Sequence, residues 1–332
     1  MFFSTLKNFG FDGFLLLLLC MIVLAYIYPP LGVGDGTLSL KNIANYGIAA
    51  IFFFYGLRLS PAKLRAGLSN WRLHLVVHFS TFILFPLIIL CIKPLFTGNE
   101  NTLLWLGIFF MAALPSTVSS SVVMVSIAGG NMPAAIFNAS MSSLMGVFIT
   151  PLWMGLVLSG QSGSPELWNV IVDLILQIIV PVSVGLLLNK YWGWFAERHK
   201  KKLRLFDQTI ILLIIYTSFC ESFAEKAFEG FGAVKLILCG AGMLVLFFVV
   251  YGLIGIIAKL LRFNREDRIT ALFCGSKKSL VHGTVMSKVL FPNYASVGVI
   301  LLPIMLYHAL QLIVVSVIAR RMGRQSGIFS NE

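Results

Sequence analysis

Charge is what this sequence has least of: only 11% of its 332 residues are Asp, Glu, Lys or Arg. With 58% hydrophobic residues and a mean hydropathy of +0.91, the chain lacks the polar surface that a water-soluble protein of this length needs. That excludes a soluble globular fold and leaves an all-α polytopic membrane protein. Carboxylates are scarcer than bases, 13 against 25, giving a formal net charge of +12. Such an excess can mark a nucleic-acid binder. Here, however, the bases lie in short polar stretches between apolar runs and are not interleaved with aromatics on one soluble face. Cytoplasmic loops account for them, and no nucleic-acid partner is expected.

Cysteine is also sparse. Cys20, Cys91, Cys220, Cys239 and Cys274 all fall in apolar runs without the paired spacing of a zinc site or a disulfide framework, so they read as buried small hydrophobes. No phosphate-loop pattern occurs, and no nucleophile, base and orienter can be assembled. Neither an enzyme nor a resident metal or cofactor is expected.

Long apolar runs are what the chain has in abundance. At about 20 residues per crossing, the sequence divides into ten spans, roughly 13–29, 42–59, 73–95, 103–127, 133–158, 167–189, 208–224, 234–260, 268–290 and 295–318. The first ends in Tyr28-Pro29-Pro30 without a small-x-small cleavage site, so it reads as a helix and not a signal peptide. With the N-terminus inside, the inner loops collect Lys7; Arg58, Lys63, Arg65 and Arg72; Lys190 and 198–204; Lys259, Arg262, Arg265 and Arg268; and Arg320, Arg321 and Arg324. The outer side holds Lys41, Lys93, Lys226, Lys235 and Lys288. This asymmetry obeys the positive-inside rule and places both termini in the cytoplasm. The polar loop 159–166 separates two five-span halves, 1–160 and 161–332. An odd number of spans in each forces the halves into opposite orientations, an inverted repeat.

Two spans are interrupted. In 103–127 a proline is followed by hydroxyls, Leu114-Pro115-Ser116-Thr117-Val118-Ser119-Ser120-Ser121; in 268–290 the interruption is Phe273-Cys274-Gly275-Ser276-Lys277-Lys278-Ser279-Leu280-Val281-His282-Gly283. Lipid cannot satisfy freed peptide groups, so both breaks must face protein or water. Broken helices at matching places in two halves point to the binding site of a secondary transporter. The bland reading of Ser116, Thr117, Ser119, Ser120 and Ser121 is that they bond back to their own helix or pack closely, but five hydroxyls beside a proline exceed what packing requires. An ammonium at mid-bilayer costs about 2.5–3.5 kcal/mol on insertion scales. Lys277 and Lys278 are therefore expected to pair with a carboxylate, line a watery cavity or bind an anion, unless the span is shifted and they snorkel.

Asp173 and Glu221 are the carboxylates well inside spans, each a candidate proton carrier or lysine partner. Asn169, Asp173 and Gln177 recur at every fourth residue and make one polar stripe. His74, His78 and His308, with Gln311, read as satisfied groups at helix interfaces. His282, four residues after Lys278, would share its helical face and join the site.

At this point a resemblance emerges. Trp71-Arg72-Leu73-His74-Leu75, Leu114-Pro115-Ser116-Thr117-Val118, Ala128-Gly129-Gly130-Asn131, Asp207-Gln208-Thr209 and the Cys-Gly-Ser-Lys-Lys-Ser run 274–279 resemble the SBF-like, YfeH-type branch of the bile acid:sodium symporter superfamily, over nearly the whole chain. The resemblance implies ten helices in two inverted five-helix repeats, a core and a panel domain, two broken helices crossing in the core, and a bacterial inner membrane. It implies a symporter of a small organic anion, with sodium as the coupling ion or protons in its place. It also places the family's sodium ligands here at Phe273, Lys277, Ser121 or Ser120, Val122, Ala135 and Ala139 beside Asn138 and Ser140, and Thr81. A lysine in place of a ligand suggests that Lys277, with or without Lys278, replaces one ion. Eukaryotic relatives associated with calcium handling keep a second expectation open, a membrane regulator with little transport of its own.

Overall fold

A computed structural model describes residues 13–34, 39–58, 70–96, 98–158, 172, 175–229, 232–291 and 296–325, and every regular element among them is a helix. That follows from the apolar runs, since in lipid a helix satisfies its peptide groups within its own segment. In chain order the elements are α1 Gly13–Ile27, with a short turn Pro30–Val33 after it, α2 Leu40–Arg58 and α3 Trp71–Leu95. There follow α4 Asn99–Ala113, α5 Ser119–Ala128, α6 Met132–Leu158, α7 Ile175–Arg198 and α8 Lys200–Ala224. The last are α9 Ala233–Leu260, α10 Arg265–Gly275, α11 Leu280–Leu290 and α12 Val297–Gln325. Among them α3, α6, α7, α8, α9 and α12 are long and apolar enough to cross a membrane. Side chains such as Leu152 and Leu156 on α6 and Ile237, Val245 and Phe248 on α9 lie exposed, as a lipid-facing surface requires. The chain is an all-helical polytopic membrane protein.

Both expected interruptions are real: α4 and α5 are separated at 114–118, α10 and α11 at 276–279. The short helices pack among long ones, α12 against α4 and α5, α9 against α12 and α10, and α6 against α4, α5 and α10. A second group sits beside them, in which α2 lies along α7, and α8 packs on α1 and α2. Close approach of α2 and α7 depends on two glycines. A Cβ on Gly56 would collide with the Val182 carbonyl oxygen, and one on Gly185 with the Phe53 carbonyl oxygen, so the two backbones touch where neither has a side chain. The groups meet where α8 packs on α11 and α12.

The hydropathy windows closed too early at several ends. α8 starts at Lys200, not near 208, which takes Asp207 into the helix; there its Oδ2 accepts from Arg58 Nη2 at 2.8 Å. Lys288 is not in an outer loop but inside α11, nearly buried. Cys20 and Cys91 are exposed and only Cys220, Cys239 and Cys274 are buried, so the expectation of five buried thiols holds for three. Asn169 and Asp173 lie outside the described residues, and Gln177 falls in a π-helical turn, Ile175–Ile179.

Candidate functional site

The crossing of the two interruptions is built from peptide groups that neither helix can satisfy itself. Leu114, which precedes Pro115, is extended (φ −71°, ψ 153°) as a pre-proline residue prefers, and this ends α4. The last carbonyls of α4 are then without intrahelical partners. Ala113 O accepts from Thr150 Oγ1 of α6 at 2.8 Å. Beyond the proline, Ser116 N–H donates to Ser142 Oγ of α6 at 2.9 Å. Pro115 reaches α6 because position 146 is glycine; a Cβ there would come within 2.6 Å of Pro115 Cγ.

The second interruption is held by α12. Tyr307 Oη donates to Ser276 O at 2.6 Å. Gln311 accepts from Lys278 N–H at 2.9 Å and donates to Lys278 O at 2.8 Å. A main-chain bond joins the two breaks directly, Ser279 N–H to Pro115 O at 2.9 Å. Ser279 also caps α11, its Oγ accepting from His282 N–H at 3.3 Å and lying 3.0 Å from His282 Nδ1.

Lys278 sits inside this framework with no exposed surface. Its Nζ donates to Ala112 O at 2.6 Å, Thr81 O at 2.7 Å and Leu114 O at 2.9 Å, and lies 4.1 Å from the centre of the Phe85 ring. The carbonyl of Thr81 is available for a reason written in α3. That helix carries a π turn, Ser80–Leu84, in which Phe85 N–H bonds back five residues to Ser80 O. In the same register Thr81 O would meet position 86, which is proline and has no N–H. Three charge-assisted hydrogen bonds, each worth about 1.5–3 kcal/mol, and a cation–π contact work against the cost of burying the ammonium. The expectation that this lysine pairs with a carboxylate, lines a cavity or binds an anion is corrected: main-chain oxygens hold it.

Lys277 is different. It is equally buried, yet among the described residues its Nζ has no hydrogen-bond partner. On elements that meet at the crossing, Ser80 Oγ and Ser116 Oγ are likewise buried and unpartnered. Such atoms are what a ligand or water would satisfy.

The other sequence candidates distribute around this centre. Thr117 Oγ1 lies 2.8 Å from Ser120 Oγ and 3.0 Å from Ser121 Oγ, and Ser121 Oγ reaches Phe273 O at 3.4 Å, across to α10. The side chain of Ser119 is outside the described residues. Ser276 Oγ bonds back to Leu272 O at 2.6 Å, and Gly275 packs against α3, where a Cβ would stand 3.5 Å from Ser80 Cβ. Thr81 spends its hydroxyl on Val77 O at 2.8 Å and contributes its carbonyl instead. Asn138 is turned away, donating to Ala134 O at 2.9 Å and meeting His74 Nδ1 at 3.1 Å.

His282 does not share a face with Lys278, because Lys278 precedes the helix that holds His282. Its ring lies instead against Phe52 and Tyr55 of α2, with centroids 6.5 and 5.9 Å away. Tyr55 in turn donates to Ser140 O on α6 at 3.0 Å. His78 is also a correction: among the described residues neither of its ring nitrogens has a hydrogen-bond partner. Glu221 has two lysine partners, Lys41 of α2 at 2.9 Å and Lys288 of α11 at 3.3 Å.

Besides Asp207, hydropathy missed a second carboxylate. Asp267, in the first turn of α10 and nearly buried, accepts from Asn70 Nδ2 at 2.6 Å and from Asn131 Nδ2 at 2.8 Å. Asn70 caps α3 through Leu73 N–H, and Asn131 accepts from Ala134 N–H at the start of α6. Asp267 thus ties together the N-terminal ends of α3, α6 and α10, where negative charge is favoured. The window that gave the span 268–290 stops one residue short of it.

Comparison with known proteins decides the family. The profile of the SBF-like CPA transporter family matches residues 12–324. The chain belongs to that family. An uncharacterized protein of Pseudomonas aeruginosa is 40% identical over 314 residues, 95% of this chain and 93% of its own. The Escherichia coli protein YfeH, whose name proposes a symporter, is 38% identical over 319 residues, 95% of this chain and 94% of its own. Sodium/bile acid cotransporter 7-A of Xenopus laevis is 30% identical over 95% of this chain and 92% of its own. Membership makes this chain an integral membrane protein of a transporter family, not of an enzyme family.

Proposed function

We propose that this protein is a secondary transporter of a small organic anion. The observation that carries the reading is the buried, unpartnered ammonium of Lys277 beside two interrupted helices joined by the Ser279–Pro115 bond. A carrier needs a polar spot in the middle of the bilayer that a solute can complete, and an orphaned cationic donor is completed by an anion. The relatives' names, symporter and sodium/bile acid cotransporter, agree with a transported organic anion and leave sodium or protons as the coupling ion.

In this proposal the two halves, 1–160 and 161–332, are inverted five-helix repeats. The order of elements supports it, because α1, α2, α3, the broken pair and α6 are followed by α7, α8, α9, the broken pair and α12. The group α3–α6 with α9–α12 is the core domain, and α1, α2, α7 and α8 form the panel against which it moves. His282 against Tyr55, and Lys288 against Glu221, are contacts between the two. Basic residues gathered at Arg58, Lys200–Arg204 and Arg320–Arg324 support an inner membrane orientation with cytoplasmic termini.

The test is flux in proteoliposomes of purified protein, with a panel of radiolabelled organic anions under imposed sodium, proton or no gradient. Saturable uptake that Lys277→Met abolishes while the variant remains folded is the expected result. A protein that moves no solute under any gradient yet alters another protein's activity would instead favour a membrane regulator.

A further inference from the structure

The three oxygens around Lys278 are themselves a cation site. Ala112 and Leu114 carbonyls come from the C-terminal end of α4, the negative end of its dipole. The Thr81 carbonyl is the one that the π turn and Pro86 leave unbonded. Freed carbonyls converging at a broken helix are what coordinate sodium or a similar ion in transporters. Here the point of convergence is filled from within the chain.

The filling is stoichiometric. An ammonium has three N–H donors and no acceptor, and Nζ has three carbonyl partners at 2.6–2.9 Å. A neutral amine would have two donors and would turn its lone pair on the third oxygen. The Phe85 ring covers the nitrogen from a further side at 4.1 Å. Nothing remains for a water or a second cation to do.

Several of the positions that the resemblance equates with sodium ligands do not fit an ion either. Phe273 is fully buried with its ring beside that of Tyr251, Ala135 and Ala139 have no oxygen in their side chains, and Lys277 carries the wrong charge. No carboxylate stands among them to offset a cation.

We propose that Lys278 is a tethered cation that permanently occupies this carbonyl site, so that the crossing is complete without free sodium, and that shortening the side chain opens the site to a free monovalent cation. Lys277, the residue that the family pattern points to, is not the substitute, since its Nζ meets none of these carbonyls. The proposal concerns how the crossing is assembled and is independent of whether the chain carries a solute.

The experiment is thermal unfolding of purified protein in nanodiscs at constant ionic strength, with choline chloride replaced stepwise by sodium, potassium, ammonium or methylammonium chloride. The wild type should melt at one temperature whichever cation is present. Lys278→Ala should melt lower and recover saturably with methylammonium, ammonium or sodium, which can enter the vacated space. Lys278→Met, which fills the space without a donor, should melt lower and recover with none. A wild-type protein showing a saturable, sodium-specific rise overturns the proposal, because a completed crossing has no ligands left to offer. So does a folded Lys278→Ala variant whose melting no cation changes. If Lys278→Ala does not fold, the wild-type titration and Lys278→Met still decide the matter: a flat wild-type response with an unrescued loss in Lys278→Met supports it, and a Lys278→Met variant as stable as wild type overturns it.

Discussion

Gln311 is bonded to Lys278 twice through the main chain, accepting from its N–H at 2.9 Å and donating to its C=O at 2.8 Å. One side-chain amide thereby stands in for the peptide partner that α10 and α11 lose when the helix breaks. It does so while also meeting His308 Nδ1 at 2.9 Å, so the amide is spoken for on both ends.

Gln311→Leu should therefore leave a buried N–H and a buried C=O unpaired. At about 1–3 kcal/mol for each unsatisfied group, a loss of roughly 2–6 kcal/mol is expected, seen as a lower melting temperature in nanodiscs. Gln311→Glu keeps the acceptor and loses the donor, and should fall between the two. Wild-type stability in Gln311→Leu would mean that the break finds other partners.

The contact between α2 and α7 makes a steric prediction. A Cβ on Gly185 would strike the Phe53 carbonyl and stand 2.8 Å from Leu57 N, and both obstacles are backbone, which cannot rotate away. Gly185→Ala should force the helices apart at a cost of about 1–3 kcal/mol or more, read as reduced expression of folded protein and a lower melting temperature. Gly252→Ala, where a Cβ meets nothing, is the matched control and should be silent.

Glu221 links Lys41 and Lys288, but the two bonds are not equal. The Lys41 side chain is 39% exposed whereas that of Lys288 is 6% exposed. Exposed pairs contribute about 0–1 kcal/mol, while stripping a buried charge of its partner costs about 3–5 kcal/mol. Lys41→Met should be near neutral, and Glu221→Ala should loosen α8 from α11. Faster hydrogen exchange over 286–291 and at Gly298, whose N–H bonds Ser222 Oγ one residue beyond Glu221, is the readout.

Much of this arrangement is legible in the sequence. Each interruption carries its own cause: Pro115 removes a donor and disfavours helix at Leu114, and residues 275–279 combine a glycine, two serines and two charges that an apolar helix rejects. The division of labour between Lys277 and Lys278 was not legible, because adjacent residues in a non-helical segment point in directions that no helical period predicts. His282 was misassigned for the same reason, since counting four residues assumes a helix that begins only at Leu280. Asp207 and Asp267 were missed because a hydropathy window ends wherever a charge begins, although each lies within a turn of a span. The role of Thr81 depended on its backbone, and its side-chain type says nothing of that.

Asp267 has a mechanical consequence. Its two carboxylate oxygens hold Asn70 and Asn131, which open α3 and α6, while its own helix, α10, leads directly into the second interruption. The carboxylate acts as a yoke. Any displacement of α10 would pull on the openings of α3 and α6 through the same carboxylate.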